Sequence, residues 1–152
     1  MTASTERRTT KRHPGESRHR AREAAVQMLY QWEVGRTPID DVERTFWGQV
    51  DETLSSDLQR FAGELARGVA THVEELDPLI ATAAEHWRIE RMAILDRLIL
   101  RLAVYEFRHQ PETPALVIIN EALELARTFS TDDAVRFING ILDGIRRASE
   151  RE

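Results

Sequence analysis

The stretch that decides the fold is Leu95-Asp-Arg-Leu-Ile-Leu-Arg-Leu-Ala-Val-Tyr-Glu106. Leu95, Leu98, Ile99, Leu102 and Tyr105 recur at three- and four-residue spacing, the signature of one face of an α-helix. Leu100, Val104 and Phe107 fall off that face. A helix that is apolar on several sides packs on several sides, so this segment reads as the central helix of a bundle. Arg97, Arg101 and Arg108 form its one clear polar stripe.

Working outward, the spacing predicts this helix from about Glu90 to His109, stopped by Gln110-Pro111. Thr113-Pro114 starts the next, ending near Phe129, with Ala115, Ile118, Ile119, Ala122, Leu125, Ala126 and Phe129 as its apolar stripe. Thr131 or Asp132 opens a last helix to about Ala148. Toward the N-terminus, Ser17 can cap a first helix that Gly35 ends near Val34. Thr37-Pro38 starts a second through Val50, Ser55 or Ser56 a third to about Val73, and Asp77-Pro78 a fourth through Trp87. No segment alternates β-branched and polar residues long enough for a strand. The expectation is all-α, seven helices over 17–152, joined by short connections. Residues 1–16, without apolar periodicity and ending near His13-Pro14-Gly15, are expected to be a disordered basic extension.

The net charge of −5 is unevenly spread. Residues 1–22 carry seven basic and two acidic side chains, while the rest carries fourteen basic and twenty-four acidic. A basic arm on an acidic body suits a polyanion on the arm and a basic partner on the body. The absence of cysteine excludes disulfides, thiol chemistry and cysteine-based zinc sites. With no apolar run near twenty residues and no signal-peptide core, a cytoplasmic protein away from membranes is expected.

Enzyme signatures are missing: no glycine-rich phosphate loop, no G-x-S-x-G and no H-E-x-x-H. Glu106 and His109 have the Glu-x-x-His spacing of half a di-iron site. Neither His72 nor His86 has an acid three residues before it to supply the second half. No metal and no cofactor are expected, and Glu106 is better explained by an internal hydrogen bond or a contact with the next helix.

Two places leave residues over. On the first helix Ala21, Ala25, Met28, Leu29 and Trp32 face the core. Arg20, Glu23, Gln27 and Tyr30 lie opposite, with Arg18 and Arg22 on a flank. Arginines near a helix N-terminus favour phosphate, and an outward aromatic can stack on an unpaired base. On the last helix Val135, Ile138, Ile141, Leu142 and Ile145 form the stripe. Phe137 sits aside, near Gly140 and Gly144, where close helix packing is a better explanation than a ring left open to a ligand.

Six collinear segments carry a resemblance. They are Arg20-Ala-Arg-Glu-Ala-Ala-Val-Gln-Met-Leu-Tyr30, Ala66-Arg-Gly-Val69, Leu76-Asp-Pro-Leu-Ile80, the stretch from Leu95 to Glu106, Ile119-Asn-Glu-Ala-Leu-Glu-Leu-Ala126 and Phe137-Ile-Asn-Gly-Ile-Leu-Asp143. Together they resemble the NusB family of transcription antitermination factors. The resemblance implies a seven-helix domain of two packed helical subdomains with no catalysed reaction. It implies pairing with NusE, a small-subunit ribosomal protein, binding of single-stranded boxA RNA in nascent ribosomal transcripts, and entry into an RNA polymerase antitermination complex. The family's arginine-rich motif falls on Arg18, His19, Arg20 and Arg22, with His19 where arginine is more usual. On the RNA side Gln27 and Tyr30 match in the first helix, and Asp133 and Phe137 near the C-terminus. The position linked to NusE matches Asp96, with Glu90, Arg91 and Arg97 as its neighbours.

Two other readings remain. A similar domain begins a ribosomal RNA cytosine methyltransferase, but these residues hold no Rossmann-like half and no catalytic cysteine. A structural helical module, or a homodimer without direct RNA binding, would use the off-stripe Leu116 and Leu123.

Overall fold

The computed structural model describes residues 14–50, 54–85 and 87–150. Among them are seven α-helices, one 3-10 turn and no strand. They are α1 (Pro14–Val34), α2 (Ile39–Gln49), α3 (Ser56–Thr71), α4 (Val73–Ala84), the 3-10 turn Ile89–Arg91, α5 (Ile94–His109), α6 (Ala115–Phe129) and α7 (Asp132–Glu150).

Several boundaries follow from the anticipated caps. Ser55 Oγ accepts from the Leu58 amide at 3.2 Å at the start of α3, and Thr131 Oγ1 accepts from the Ala134 amide at 3.1 Å at the start of α7. These bonds satisfy amides that the first turn of a helix leaves open. Others differ. α1 starts at Pro14 rather than Ser17, since a proline in the first turn gives up no hydrogen bond. At its end the left-handed residue is Arg36, with φ 54°, and not Gly35. Gly35 is required for a close approach instead: a Cβ there would lie 2.6 Å from the Gln31 carbonyl oxygen. Thr37 does not cap α2, which Pro38 precedes without a side-chain cap.

Two expectations fail outright. Pro78 does not begin α4 but lies inside it. His72 closes α3 by donating its amide to the Val69 carbonyl. Its own carbonyl accepts from Glu75 and Leu76, so α4 follows α3 with one residue between them. The long helix expected from Glu90 is broken at Met92 and Ala93, which are extended. That break turns both Ile89 and Met92 into the core.

α5 is the axis of the molecule. Every residue from Leu98 to Glu106 is buried, so the helix has no solvent face over more than two turns. Helices α1–α3 pack together on one side of it and α4, α6 and α7 on the other, giving two helical groups that share α5. Burying each large aliphatic side chain here contributes about 1.5–3 kcal/mol. A helix sealed this way must also neutralise its charges. Arg101 does so by donating from Nε and Nη2, one edge of its guanidinium, to the two oxygens of Asp77 at 2.8 Å each, and from Nη1 to Glu33 at 3.1 Å. No described helix is long and apolar enough to cross a membrane.

Candidate RNA interface

The first turns of α1 bring basic side chains onto a hydrophobic and acidic support. Arg18 is exposed, and its guanidinium carbon lies 4.7 Å from the centroid of the Phe61 ring on α3. Such a cation–π contact steadies an otherwise mobile side chain at a gain of about 0.5–1 kcal/mol. His19 is half-buried between two acids. Its Nδ1 is 2.8 Å from Glu121 Oε1 of α6, and its Nε2 is 3.3 Å from Glu23 Oε2. The hydrogen bond to Glu121 raises the His19 pKa above 6.5, outweighing burial. For Glu121, burial pushes the other way, yet the bond and charge of His19 together with Arg22 hold the carboxyl below its ordinary range. Arg20 is half-buried in the same turn.

Arg22 departs from expectation. It is 3% exposed and aims inward, donating from Nε and Nη2 to the two oxygens of Glu106 at 2.8 Å each. Nη1 lies 3.5 Å from Glu121. A fork already engaged on both edges and shut from water cannot reach a phosphate without first breaking the core pair. Arg22 therefore supports the basic surface from beneath. Its partner Glu106 makes the internal contact expected of it, across to α1.

α1 meets α6 where Arg22 and His19 approach Glu121, and farther along both helices Tyr30 and Phe129 border the same hollow. Tyr30 is 43% exposed, and Gln27 is exposed one turn before it. Both line a largely apolar hollow of about 420 Å³ with Val26, Phe46, Leu95 and Phe129. A ring half in water at the lip of an apolar hollow is suited to cover the face of a planar ligand.

A second hollow, about 450 Å³, opens where α7 begins. Phe137 and Asp133 line it together with Trp87, Arg91, Met92 and Asp96. Trp87 is 58% exposed and meets the Phe137 ring edge to face at 5.7 Å. Of the glycines beside Phe137, Gly140 faces open space, while Gly144 lies against α4, where a Cβ would stand 3.9 Å from Ala83. Phe137 is half-buried against the core, as expected from close packing, and its open side lines the hollow. Asp133 is exposed and pairs with Arg136 one turn on. Asp96 is 9% exposed and accepts from Ser130 Oγ at 2.6 Å, tying α5 to the α6–α7 connection.

The four residues matched to partner binding thus divide. Arg91 and Asp96 share the hollow of Asp133 and Phe137. Glu90 and Arg97 line another depression with Glu33, Asp77 and Arg101, where Arg97 Nη1 donates to the Ile89 carbonyl at 3.2 Å.

The sequence model of the NusB family matches residues 19–147. The chain belongs to the NusB family. The transcription antitermination protein NusB of Koribacter versatilis is 46% identical over 136 residues, 90% of this chain and 92% of that protein. The protein of the same name from Symbiobacterium thermophilum is 44% identical over 137 residues, 86% of this chain and 90% of that one. The solved structure of T. maritima NusB matches with a TM-score of 0.76 at 35% identity, covering 86% and 90% of the two chains. A chain from a crystal structure of the antitermination factors NusB and NusE in complex with dsRNA has the same fold. Its TM-score is 0.74 at 24% identity, covering 88% of this chain and 98% of that one. These relatives are transcription antitermination proteins.

Within this NusB fold, sequence reasoning missed Phe61 beneath Arg18, Glu121 beside His19 and Trp87 against Phe137. Phe61 and Glu121 come from distant helices, and Trp87 from the link between α4, which ends at Ala84 and not at Trp87 as expected, and the 3-10 turn. Only Trp87 left a signal, a large aromatic next to Arg88, and it reads as well for a helix terminus.

Proposed function

We propose that this chain is an antitermination factor that binds single-stranded boxA RNA of nascent ribosomal transcripts together with NusE, and with it joins the RNA polymerase antitermination complex in the cytoplasm. The observation that carries the reading is the strip running from Arg18 along α1 and α6 to Tyr30, and on across the start of α7 to Phe137. It places cations at one end and two half-open aromatics beside apolar hollows farther on. Family membership and the NusB–NusE–dsRNA complex of a protein with this fold support it. Arg18 and Arg20 hold phosphates, and Gln27, Tyr30, Asp133 and Phe137 meet the bases. His19, whose two ring nitrogens face Glu121 and Glu23, joins the RNA side by bracing the turn that presents the two arginines. Arg22 keeps α1 in place. Asp96 shapes the hollow that Arg91 shares with Phe137, so the RNA and NusE surfaces adjoin there, with Glu90 and Arg97 at the outer side.

The test is fluorescence anisotropy with a boxA oligonucleotide and a scrambled one, with and without cognate NusE, over a range of salt. Preference for boxA, strengthened by NusE, is expected. Equal affinity for both RNAs under all conditions overturns the reading.

A second reading, self-association without RNA, rests on Leu116, which is 63% exposed on α6 beside Val117 at 43%, whereas Leu123, expected to share that face, is half-buried against the core. Light scattering separates the two: a stable dimer unmoved by boxA RNA favours the second.

A further inference from the structure

Where α3 passes into α4, and the last turn of α5 runs by, three metal-ligating side chains converge. One nitrogen each from His72 and His109 and a carboxylate oxygen of Glu75 all lie within 4.8 Å of one another. We propose that His72, Glu75 and His109 form a binding site for a divalent cation of the zinc class. The site is separate from the RNA-facing strip and independent of the function proposed above.

Two imidazoles and one carboxylate, with a coordination position left for water, are a donor set that zinc takes up in tetrahedral geometry. Metal–ligand bonds of about 2.0–2.1 Å put neighbouring ligand atoms about 3.3 Å apart. Closing the site therefore needs only side-chain adjustments, and His109 is exposed enough to make them.

The histidines are already oriented. His72 Nδ1 lies 2.7 Å from the Gly68 carbonyl oxygen. A carbonyl can only accept, so Nδ1 carries the proton and Nε2 keeps its lone pair. A backbone carbonyl holding the second nitrogen is the usual outer support of a metal-binding histidine. Tyr105 stacks on His109 at 4.7 Å and 22°, and its ring is 5.7 Å from His72. Gly68 makes that possible, because a Cβ there would collide with the Tyr105 ring. Arg108 Nε donates to Glu75 Oε2 at 3.0 Å, so the carboxylate is steadied from one side.

The proton bookkeeping is simple. His109 Nε2 lies 3.1 and 3.2 Å from the two Glu75 oxygens and holds a proton toward them. The cation takes that proton's place. A neutral His109 shifts its proton to Nδ1, and a charged one releases a proton to solvent, so affinity falls as pH drops through the histidine range. Bound there, the cation clips the α3–α4 junction to the end of α5.

An acid three residues before each histidine, the spacing of a helical di-iron half-site, is not the pattern here. Here Glu75 follows His72 by three residues, and His109 arrives from another helix.

The experiment uses the full chain without a histidine tag, stripped with a chelator. Zn²⁺ affinity is measured by competition with a chromogenic chelator, and geometry from the visible spectrum of the Co²⁺ form. One equivalent of Zn²⁺ bound in the micromolar range or tighter, with the intense Co²⁺ bands of a four-coordinate site, is expected. Glu75→Gln and His109→Gln should each weaken binding by about ten-fold or more while circular dichroism stays unchanged. His72→Gln should do the same, and if it does not fold, the exposed His109 still decides. Absence of stoichiometric binding, or equal affinity in the folded Glu75 and His109 variants, overturns the proposal.

Discussion

Among the described residues two places set histidine beside carboxylate, and they are built to opposite ends. At the start of α1 one imidazole, His19, lies between two acids, Glu121 and Glu23, above the buried pair Arg22–Glu106. At the α3–α4 junction two imidazoles, His72 and His109, face one acid, Glu75. Where two acids flank one ring, both ring nitrogens are engaged and His19 is drawn toward its cationic form, an internal ion-pair partner that ties α1 to α6. Where two rings face one acid, ring nitrogens outnumber the carboxylate that can engage them, which leaves donor atoms for a cation. The same residue types therefore brace a helix in one place and offer ligands in the other, and local stoichiometry decides which.

The largest expected effect comes from removing the floor of the first cluster. Glu106→Ala leaves the Arg22 guanidinium buried with only the longer contact to Glu121, at 3.5 Å, to offset its charge, which should cost about 3–5 kcal/mol of unfolding free energy in urea titrations. The paired change Arg22→Met with Glu106→Leu should recover most of that loss, because both charges leave together. A double variant as unstable as the single one would show that the pair does more than offset its own burial. Next, Tyr30→Ala should weaken boxA binding by about 1–3 kcal/mol with the thermal midpoint nearly unchanged. Unaltered affinity would move base contact away from the α1 hollow. Smaller again is Arg18→Ala, for which losing one phosphate contact should flatten the salt dependence of RNA binding by roughly 0.7 in log–log slope.

The smallest effect is a pH dependence that belongs to His19 and Glu121. The folded pKa of His19 lies above 6.5, so its contribution is complete below that pH and is lost as pH rises through the folded value. Glu121 is held below 4.5, so its contribution is present above that pH and lost as pH falls through the lower value. Both act fully between about 4.5 and 6.5. Urea midpoints for the parent chain should decline on going from pH 6 to 8 more than those of His19→Gln. Parallel curves would remove His19 from the account.

Local chemistry made much of the helix order readable in advance. Ser55, Thr131 and Pro114 act on their own next few residues, and α5 shows its central place through apolar residues on several faces. What stayed hidden depends on contacts between residues far apart in the chain. Arg22 carries the same local pattern as Arg18, and only Glu106, 84 residues away, distinguishes an internal arginine from an external one. Pro78 has the marks of a helix start, yet His72 caps two helices at once and moves the start forward. Asp96 reads as a surface acid until Ser130 closes over it.

The span between Arg22 and Glu106 also has a consequence in time. A bacterial or comparable ribosome adds about 5–20 residues each second, so the 84 residues between the two partners take roughly 4–17 s to appear. Through that interval α1 has no anion to receive its buried guanidinium and no α5 to pack against. The helix that bears the basic strip is thus the first made and among the last secured, which ties its readiness for a polyanion to completion of most of the chain.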